Sequence, residues 1–406
     1  MGFPLRWLAL GSLLVGATPG APSGPGFDDE TVRVGMSTVL TGPSAGLGLE
    51  MRRGVQMRFD AANADGGVHG RKLELIALDD GYEPARTAPN MRELIDERDV
   101  FAVVGNVGTP TAVVSVPIAN EKKVPFFGAL TGAGILRRTP PDRYVVNFRA
   151  SYDQEVKAMI DGLVDEVGIP PERIALFTQN DAYGDAGFSA AVKALSARGY
   201  DRIARNTHGR YQRNTLNVED GLARILDARI EPRAVIMVGT YRANAKFIRL
   251  ARRERFRAIF LNLSFVGAEA FAKELDGAGD GMVVITQVVP PPSAKLPGVT
   301  AYRAALGREP ATFNSLEGWL AASAFVASLE ATGADLSREG FLDAVEAASA
   351  LDVGLGRTHA LGPNEHQVSH QVWPTVLKAG RWRAFEWKSL RRVLGRSLAV
   401  APGGRR

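Results

Sequence analysis

The stretch VVGNVGTPTAVVSVPIAN, residues 103–120, decides the fold. An apolar run ends at Gly105, and a second small step follows at Gly108. Thr109 then reads as a helix N-cap and Pro110 as the first helical residue, ahead of a helical apolar pattern. A buried strand, a tight glycine turn and a helix start form one half of a parallel α/β unit. The free N–H groups of such a helix start, with the helix dipole, favour an anion.

The same rhythm extends outward in both directions. TVRVGMSTVL from Thr31 reads as a buried strand and TGPSAGLG as a loop. In the helix that follows, Met51, Val55, Phe59 and Ala62 recur at spacings of three and four. RKLELIALDD, VFAVVG and VPFFGA are the next strands, with helices between them. The rhythm breaks at PPDRYVVNFRASYDQE and restarts with RIALFTQ. A helix over 185–198, a short strand near Ile203, a helix over 215–228, AVIMVG, a helix over 243–254 and AIFLNL follow. A second break at GMVVITQVVPPPSAKLPG precedes a helix from Phe313 to Thr332, apolar along one face, and another from Arg338 to Ala348. The last segment reads as two strands around Ala379-Gly380. The fold class is therefore α/β, with two doubly wound three-layer lobes. The 44 glycines, mostly at the ends of apolar runs, punctuate the units.

Composition excludes several functions. The formal net charge of +5 resides in Arg391, Arg392, Arg396, Arg405 and Arg406 of the C-terminal tail, and no basic stripe with interleaved aromatics points to nucleic acid. The arginines of LARRERFRA at 250–258 read as a solvated helix end. With no cysteine there is no disulfide, thiolate metal site or lipidated N-terminal cysteine. Residues 1–27 read as a secretory signal and flexible N-terminus, with one Arg6, an apolar core from Trp7 to Gly16 and cleavage between Ala17 and Phe27. A periplasmic protein is expected.

Enzyme motifs are missing. There is no G-x-x-x-x-G-K-[ST] and no G-x-S-x-G. His366 and His370 lie four apart but without the glutamate of H-E-x-x-H, so a surface or hinge role is read for them. No cofactor and no metal are expected, and no catalysis. Asp80 is read as a loop cap in preference to a cleft residue, with Tyr82 beside it.

Ligands of open α/β sheets bind beyond the carboxyl ends of the strands. Five loops lie there. They are Asn106–Thr111, including Gly108, Thr109 and Thr111, and Gly128–Gly134, including Ala129, Leu130, Thr131 and Gly132. In the second half they are TQNDAYGDAG with Asp181 and Tyr183, GTYRANA with Thr240 and Tyr241, and NLSFVG with Ser264 and Phe265. Two such rims facing each other make a cleft.

VRVGMSTVLTGPSAGLGLEMRRGVQMRFDAANADGGVHGRKLELIALDDGYEPARTAPNMRELI, VGNVGTPTA, VPFFGALTGAG and NDAYGDAGFSAAVKAL carry a resemblance. Over roughly residues 31–390 the chain resembles type I periplasmic solute-binding proteins, most nearly the leucine/isoleucine/valine-binding branch of ABC importers. The resemblance implies two lobes joined by three crossovers that close on a ligand. The first lobe would take 31–148 and 286–363, the second 149–285 and 364–390, leaving a basic tail over 391–406. It implies a small amino acid or related carboxylate as ligand, held at its carboxylate by Gly108, Thr109 and Ala129–Gly132 and clamped by Tyr183 and Tyr241. It implies an ABC permease as partner and a monomer. A ligand-sensing receptor for an amide or organic acid is the alternative. Leu47 stands where many members carry an aromatic residue. Where the family's acid meets the ligand ammonium, near Ser264, this chain has Ser264 and Phe265. Either Asp181 substitutes or the ligand lacks an amine.

Overall fold

The computed structural model describes residues 24–394. Most of the expected export segment and of the basic tail lies outside them. Their inner ends are part of the folded body, however. Phe27 is buried edge-on against Phe101, with centroids 6.2 Å apart, and Leu394 is buried at the end of a short helix over Arg391–Leu394. The body therefore begins by Phe27 and continues to Leu394, because each end places an apolar side chain in the core.

The first sheet contains β1 (Thr31–Thr38), β2 (Lys72–Asp79), β3 (Ala102–Val104), β4 (Phe126–Phe127) and β5 (Val145–Val146). Its order is β2-β1-β3-β4-β5, and every pairing is parallel. The connecting helices are α1 (Ala45–Ala64), α2 (Pro84–Arg92) and α3 (Thr109–Lys122). The second lobe opens with α4 (Tyr152–Asp161), whose start Ser151 and Gln154 secure as a reciprocal capping box. There follow β6 (Ile174–Gln179), α5 (Ala182–Ser196), β7 (His208–Tyr211), α6 (Glu219–Leu226), β8 (Ala234–Val238), α7 (Tyr241–Arg253), β9 (Ile259–Leu263), α8 (Ala268–Leu275) and β10 (Val283–Gln287). These strands are parallel to one another. The strand expected near Ile203 is a single helical turn, Ile203–Arg205, and the strand itself begins at His208. The alternation of burial falls on His208–Tyr211, where one face packs on the core.

The chain then returns to the first lobe as α9 (Pro297–Leu306), α10 (Phe313–Thr332) and α11 (Arg338–Glu346), with a small hairpin of β11 (Leu351–Asp352) and β12 (Thr358–His359). It ends in the second sheet, where β13 (Trp373–Lys378) pairs antiparallel to β10 and β14 (Arg381–Ala384) to β13. The second sheet thus has the order β14-β13-β10-β9-β8-β6-β7. Because β10 is paired through Gln287, the chain leaves this sheet after that residue and not at 286. The first and third crossings run side by side, with Asn147 N–H donating to the His366 carbonyl at 2.7 Å and Val368 N–H to the Asn147 carbonyl at 2.8 Å. His366 is buried there, with Nδ1 2.9 Å from the Val145 carbonyl and Nε2 3.2 Å from Glu346.

The position of α10 governs the site. The sequence suggests one apolar face, but this helix is buried on nearly every side from Phe313 to Leu329. It crosses α1 where Gly54 and Gly318 let the two backbones touch. A Cβ on Gly54 would stand 2.0 Å from the Ser315 carbonyl oxygen, and one on Gly318 2.4 Å from that of Met51. That close approach holds Glu317, one residue away, inside the protein. Trp319, Phe325 and Leu329 are core residues, with Trp319 edge-on to Tyr302.

Candidate functional site

The loops after β3 and β4 zip together. Gly108 N–H donates to the Leu130 carbonyl at 3.2 Å, and Leu130 N–H to that of Asn106 at 2.8 Å. The main-chain N–H groups expected to hold a carboxylate are thus already spent, that of Gly108 on Leu130 and that of Leu130 on Asn106. Gly108, not Thr109, is the N-cap of α3, and Thr109 opens the helix. The Thr109 hydroxyl lies 2.7 Å from that of Thr131, and the Tyr152 hydroxyl 3.4 Å from Thr131 Oγ1. All three side chains are buried, so they form one hydroxyl cluster. Thr111 does not join it. Its hydroxyl donates back to the carbonyls of Val107 and Gly108 at 2.5 and 2.9 Å, a common use of threonine in a first turn. Ala129 is buried and its carbonyl accepts Thr131 N–H at 2.8 Å. The Gly132 carbonyl accepts Tyr152 N–H, and a Cβ there would stand 2.5 Å from the Tyr152 ring. Gly132 therefore serves by letting Tyr152 approach.

The second lobe supplies an aromatic wall. Tyr183, at the start of α5, is fully buried between Tyr152 and Phe265, with centroids 5.5 and 4.7 Å away. Its hydroxyl has no hydrogen-bond partner. Phe265 also meets Tyr82 of the first lobe at 5.9 Å. Tyr241 reaches across to the first lobe, where Gly46 N–H donates to its hydroxyl at 3.4 Å. Leu47, beside it, approaches Gly267. The lobes are therefore in the closed arrangement. A recess of about 150 Å³ remains between Gly46–Leu47 and Gly267–Glu269. A wider one of about 650 Å³ lies between α8, α9 and the β13–β14 turn, and shares only Glu269 with the smaller recess.

Asp181 is not the substitute counter-charge. Its carboxylate accepts Tyr183 N–H at 3.0 Å, Gln179 Nε2 at 2.7 Å and Arg213 Nη1 at 2.9 Å. It caps α5 and closes a salt bridge, which uses both oxygens. Asp80, read as a loop cap, accepts from Ser37, Thr87 and Tyr82 N–H.

The charge of the cleft comes from residues that sequence reasoning did not assign to it. Arg149, in the first crossing, is fully buried, with Nη2 3.3 Å from Glu155 Oε1 and Nε 3.5 Å from Glu317 Oε1. Its Nη1 and Nε make no hydrogen bond, and its guanidinium lies 6.0 Å from the Tyr152 ring centre. Burial opposes its charge, but Glu317 and Glu155 outweigh that and hold its pKa above the ordinary value. Arg137 lies beside it, donating to the carbonyls of Thr131, Ala133 and Arg149. Burial, with the Arg149 charge adding to it, pulls Arg137 down to about 9.

Ser264 does have an acid beside it. Glu155 accepts its N–H at 2.7 Å and its hydroxyl at 3.0 Å, and the Thr286 hydroxyl at 3.0 Å. Burial pushes Glu155 up, against the Arg149 charge and the donors of Ser264 and Thr286. Among the described residues Glu317 has no hydrogen-bond donor, only the 3.5 Å ion-pair approach of Arg149 Nε. Burial pushes it up to about 7, against Arg149 and with Glu155 adding to the push. One signal was available for Glu317, an acid inside the otherwise apolar run LEGWLAASAFVASL. For Arg149 and Glu155 the sequence carried none, since each lies in a stretch of mixed polarity.

Two parallel α/β lobes, joined by three crossings and meeting through the loops beyond their strand ends, define a protein that closes on a small ligand. The model for the periplasmic binding protein family matches residues 31–381. A possible leucine/isoleucine/valine-binding protein from Rhodopirellula baltica SH 1 is 46% identical, with a TM-score of 0.85, covering 92% of this chain and 99% of its own. Leu/Ile/Val-binding protein homolog 8 of Brucella suis biovar 1 is 25% identical over 379 residues, covering 87% of this chain and 89% of its own. LivJ from Streptococcus pneumoniae, solved in complex with isoleucine, shares the fold at 15% identity and a TM-score of 0.74, covering 87% and 98%. The chain belongs to the periplasmic binding protein family, in its type I, leucine/isoleucine/valine-binding branch.

Proposed function

We propose that the protein is the substrate-binding component of an ABC importer, capturing a small amino acid or related carboxylate between its lobes in the periplasm. It would bind its ligand without transforming it and deliver it to the permease in the closed form. One observation carries this reading. The Thr109–Thr131–Tyr152 hydroxyl cluster lies beside a fully buried Arg149 with two N–H-bearing nitrogens that make no hydrogen bond, under a wall formed by Tyr183 and Phe265. Hydroxyls and a forked cation in a dry site suit a carboxylate. Among the described residues no helix is long and apolar enough to cross a membrane.

The test is calorimetric titration of the purified protein with amino acids and simple carboxylates, alongside small-angle scattering. The expected result is saturable one-to-one binding of at least one of them, with a smaller radius of gyration when bound. Uncharged amides binding while every carboxylate fails would point instead to the sensing receptor. Turnover of the bound compound would overturn the non-enzymatic reading.

A further inference from the structure

We propose that the pole of the second lobe farthest from the cleft is a docking surface for anionic phospholipid, so that the protein associates reversibly with a membrane surface. The loops of the cleft lie at the opposite, carboxyl ends of the strands, so this attachment leaves the ligand site unobstructed.

β7, β6, β8 and β9 are neighbours in the second sheet and run parallel, so the loops that lead into them meet at one pole. Arg233 N–H donates to the Arg173 carbonyl at 2.8 Å and Ile259 N–H to the Arg233 carbonyl at 2.9 Å, which sets these strand starts side by side. The four loops, 168–173, 197–207, 227–233 and 252–258, hold ten arginines, no lysine and five acids. The loops before β1, β2, β3 and β4 occupy the same place in the first lobe. At 28–30, 65–71, 96–101 and 121–125 they hold eight acids and four lysines or arginines. The fold therefore does not itself require a basic pole. Arg202, Arg205, Arg229, Arg252, Arg253, Arg255 and Arg257 are exposed, and among the described residues none of the seven forms a salt bridge. Like charges gathered in this way repel one another, and a polyanion removes that cost.

The sequence that follows Leu394 adds to the same charge. Trp387 packs on Gly162, where a Cβ would stand 2.1 Å from the indole ring, and Arg391 Nε donates to the Glu166 carbonyl at 2.8 Å. The end of the folded body thus lies against 162–167, the residues just before the first of the four loops. Arg391 and Arg392 are exposed there, and residues 395–406 carry Arg396, Arg405 and Arg406 with no acid.

The chemistry fits lipid phosphate with hydrocarbon beneath it. The planar fork of arginine matches a phosphate, and all ten cations of the loops are of this type. Apolar side chains stand among them. Ile230 is 46% exposed and Leu226 37%, two of the four large apolar side chains that are exposed among the described residues. A recess of about 600 Å³ lies between Ile230, Tyr200, Arg202 and Arg205, lined also by Glu172 and Asp201. Basic groups around apolar ones are what an interfacial surface needs to hold an anionic bilayer reversibly. A nucleic acid would satisfy the arginines but leave Ile230 and Leu226 without a partner, so lipid is the occupant favoured.

The test is co-sedimentation of the full chain with phosphatidylcholine vesicles, with and without about one third phosphatidylglycerol, at low and high salt. The wild type should sediment with the anionic vesicles at low salt and with neither kind at high salt. Neutralising Arg205, Arg229 and Arg253 together to Gln should weaken this by about 30-fold or more. The same change at three exposed cations of the first lobe, Lys295→Gln, Arg303→Gln and Arg308→Gln, should weaken it by less than about threefold, and ending the chain after Leu394 should give an intermediate loss. Ile230→Ser should weaken it too, although no charge is removed. No sedimentation with anionic vesicles would overturn the proposal. So would equal losses in the two triple variants, which would mean attraction by net charge alone. Tighter binding to a DNA duplex than to vesicles at equal phosphate, unaffected by Ile230→Ser, would assign the pole to nucleic acid instead.

Discussion

Arg213 Nη2 stands 2.9 Å from Glu83 Oε2, tying the loop after β7 in one lobe to the loop after β2 in the other. The other arm of Arg213 holds Asp181, and Asn214 donates to Glu83 and to the Gly81 carbonyl. Gln179 reaches Tyr82 from the same side at 3.3 Å. These contacts exist only when the lobes are together, so they stabilise the closed state. Glu83→Gln should weaken ligand binding by roughly two- to fivefold, the worth of a partly exposed ion pair. High salt should have a similar effect on the wild type and little on the variant. Titration at two ionic strengths checks this.

Gly108 has φ +109°, and a Cβ there would stand 2.3 Å from the Tyr82 ring. Gly108→Ala therefore strains the backbone and displaces Tyr82 from the closed cleft. Urea unfolding should show a loss of about 1–3 kcal/mol, because the backbone strain is present with the lobes open or closed. Ligand affinity should fall as well, because a displaced Tyr82 no longer meets Phe265 and Gln179 in the closed cleft.

Among the described residues, Arg149 is the one cation within ion-pair distance of Glu155 and Glu317. Arg149→Met should destabilise the protein by about 3–5 kcal/mol, since two buried carboxylates are left without it. Both acids have raised pKa values, so lowering the pH should recover part of the loss by protonating them. Urea unfolding at pH 8 and pH 5 measures both effects.

His208 stacks on Phe188 at 5.0 Å, with Nε2 2.7 Å from the Thr178 hydroxyl. Burial, then Arg210 and Arg224, pull its pKa down to about 4, from about 6.5 for an ordinary histidine. The folded state thus prefers the neutral ring. The contribution is complete above about pH 6.5 and declines as the pH falls toward 4, where the unfolded chain binds the proton more readily. Solvent screening of the partly exposed ring holds the loss to about 2 kcal/mol. Thermal unfolding between pH 7 and pH 4 should fall less steeply for His208→Gln.

The α/β rhythm was legible because most of the parallel strands are buried on both faces and several end at a glycine. That produces local patterns such as VFAVVG and AVIMVG. The short strand near Ile203 was misplaced because a few apolar residues beside a turn carry no period to distinguish strand from helical turn. Of the residues assigned to the site, Thr109, Thr131, Tyr183, Tyr241 and Phe265 meet in or beside the cleft, for each lies in the short loop or first helical turn beyond its strand. Thr111 and Asp181 fall at equivalent loop positions, but their polar atoms are consumed locally. Sequence position gives where a side chain starts, not which neighbour it bonds.

The sequence by itself determined the two α/β lobes, the family and the loops that face the cleft, because periodicity and turn chemistry are local properties. Only the tertiary structure decided the electrostatics of the cleft. Arg149, Glu155 and Glu317 come from a crossing, the first helix of one lobe and a returning helix of the other. Their meeting depends on backbones touching at Gly54 and Gly318 and on the first and third crossings running side by side. These charges interact strongly because folding brings Glu317 to Arg149 and removes the water between them.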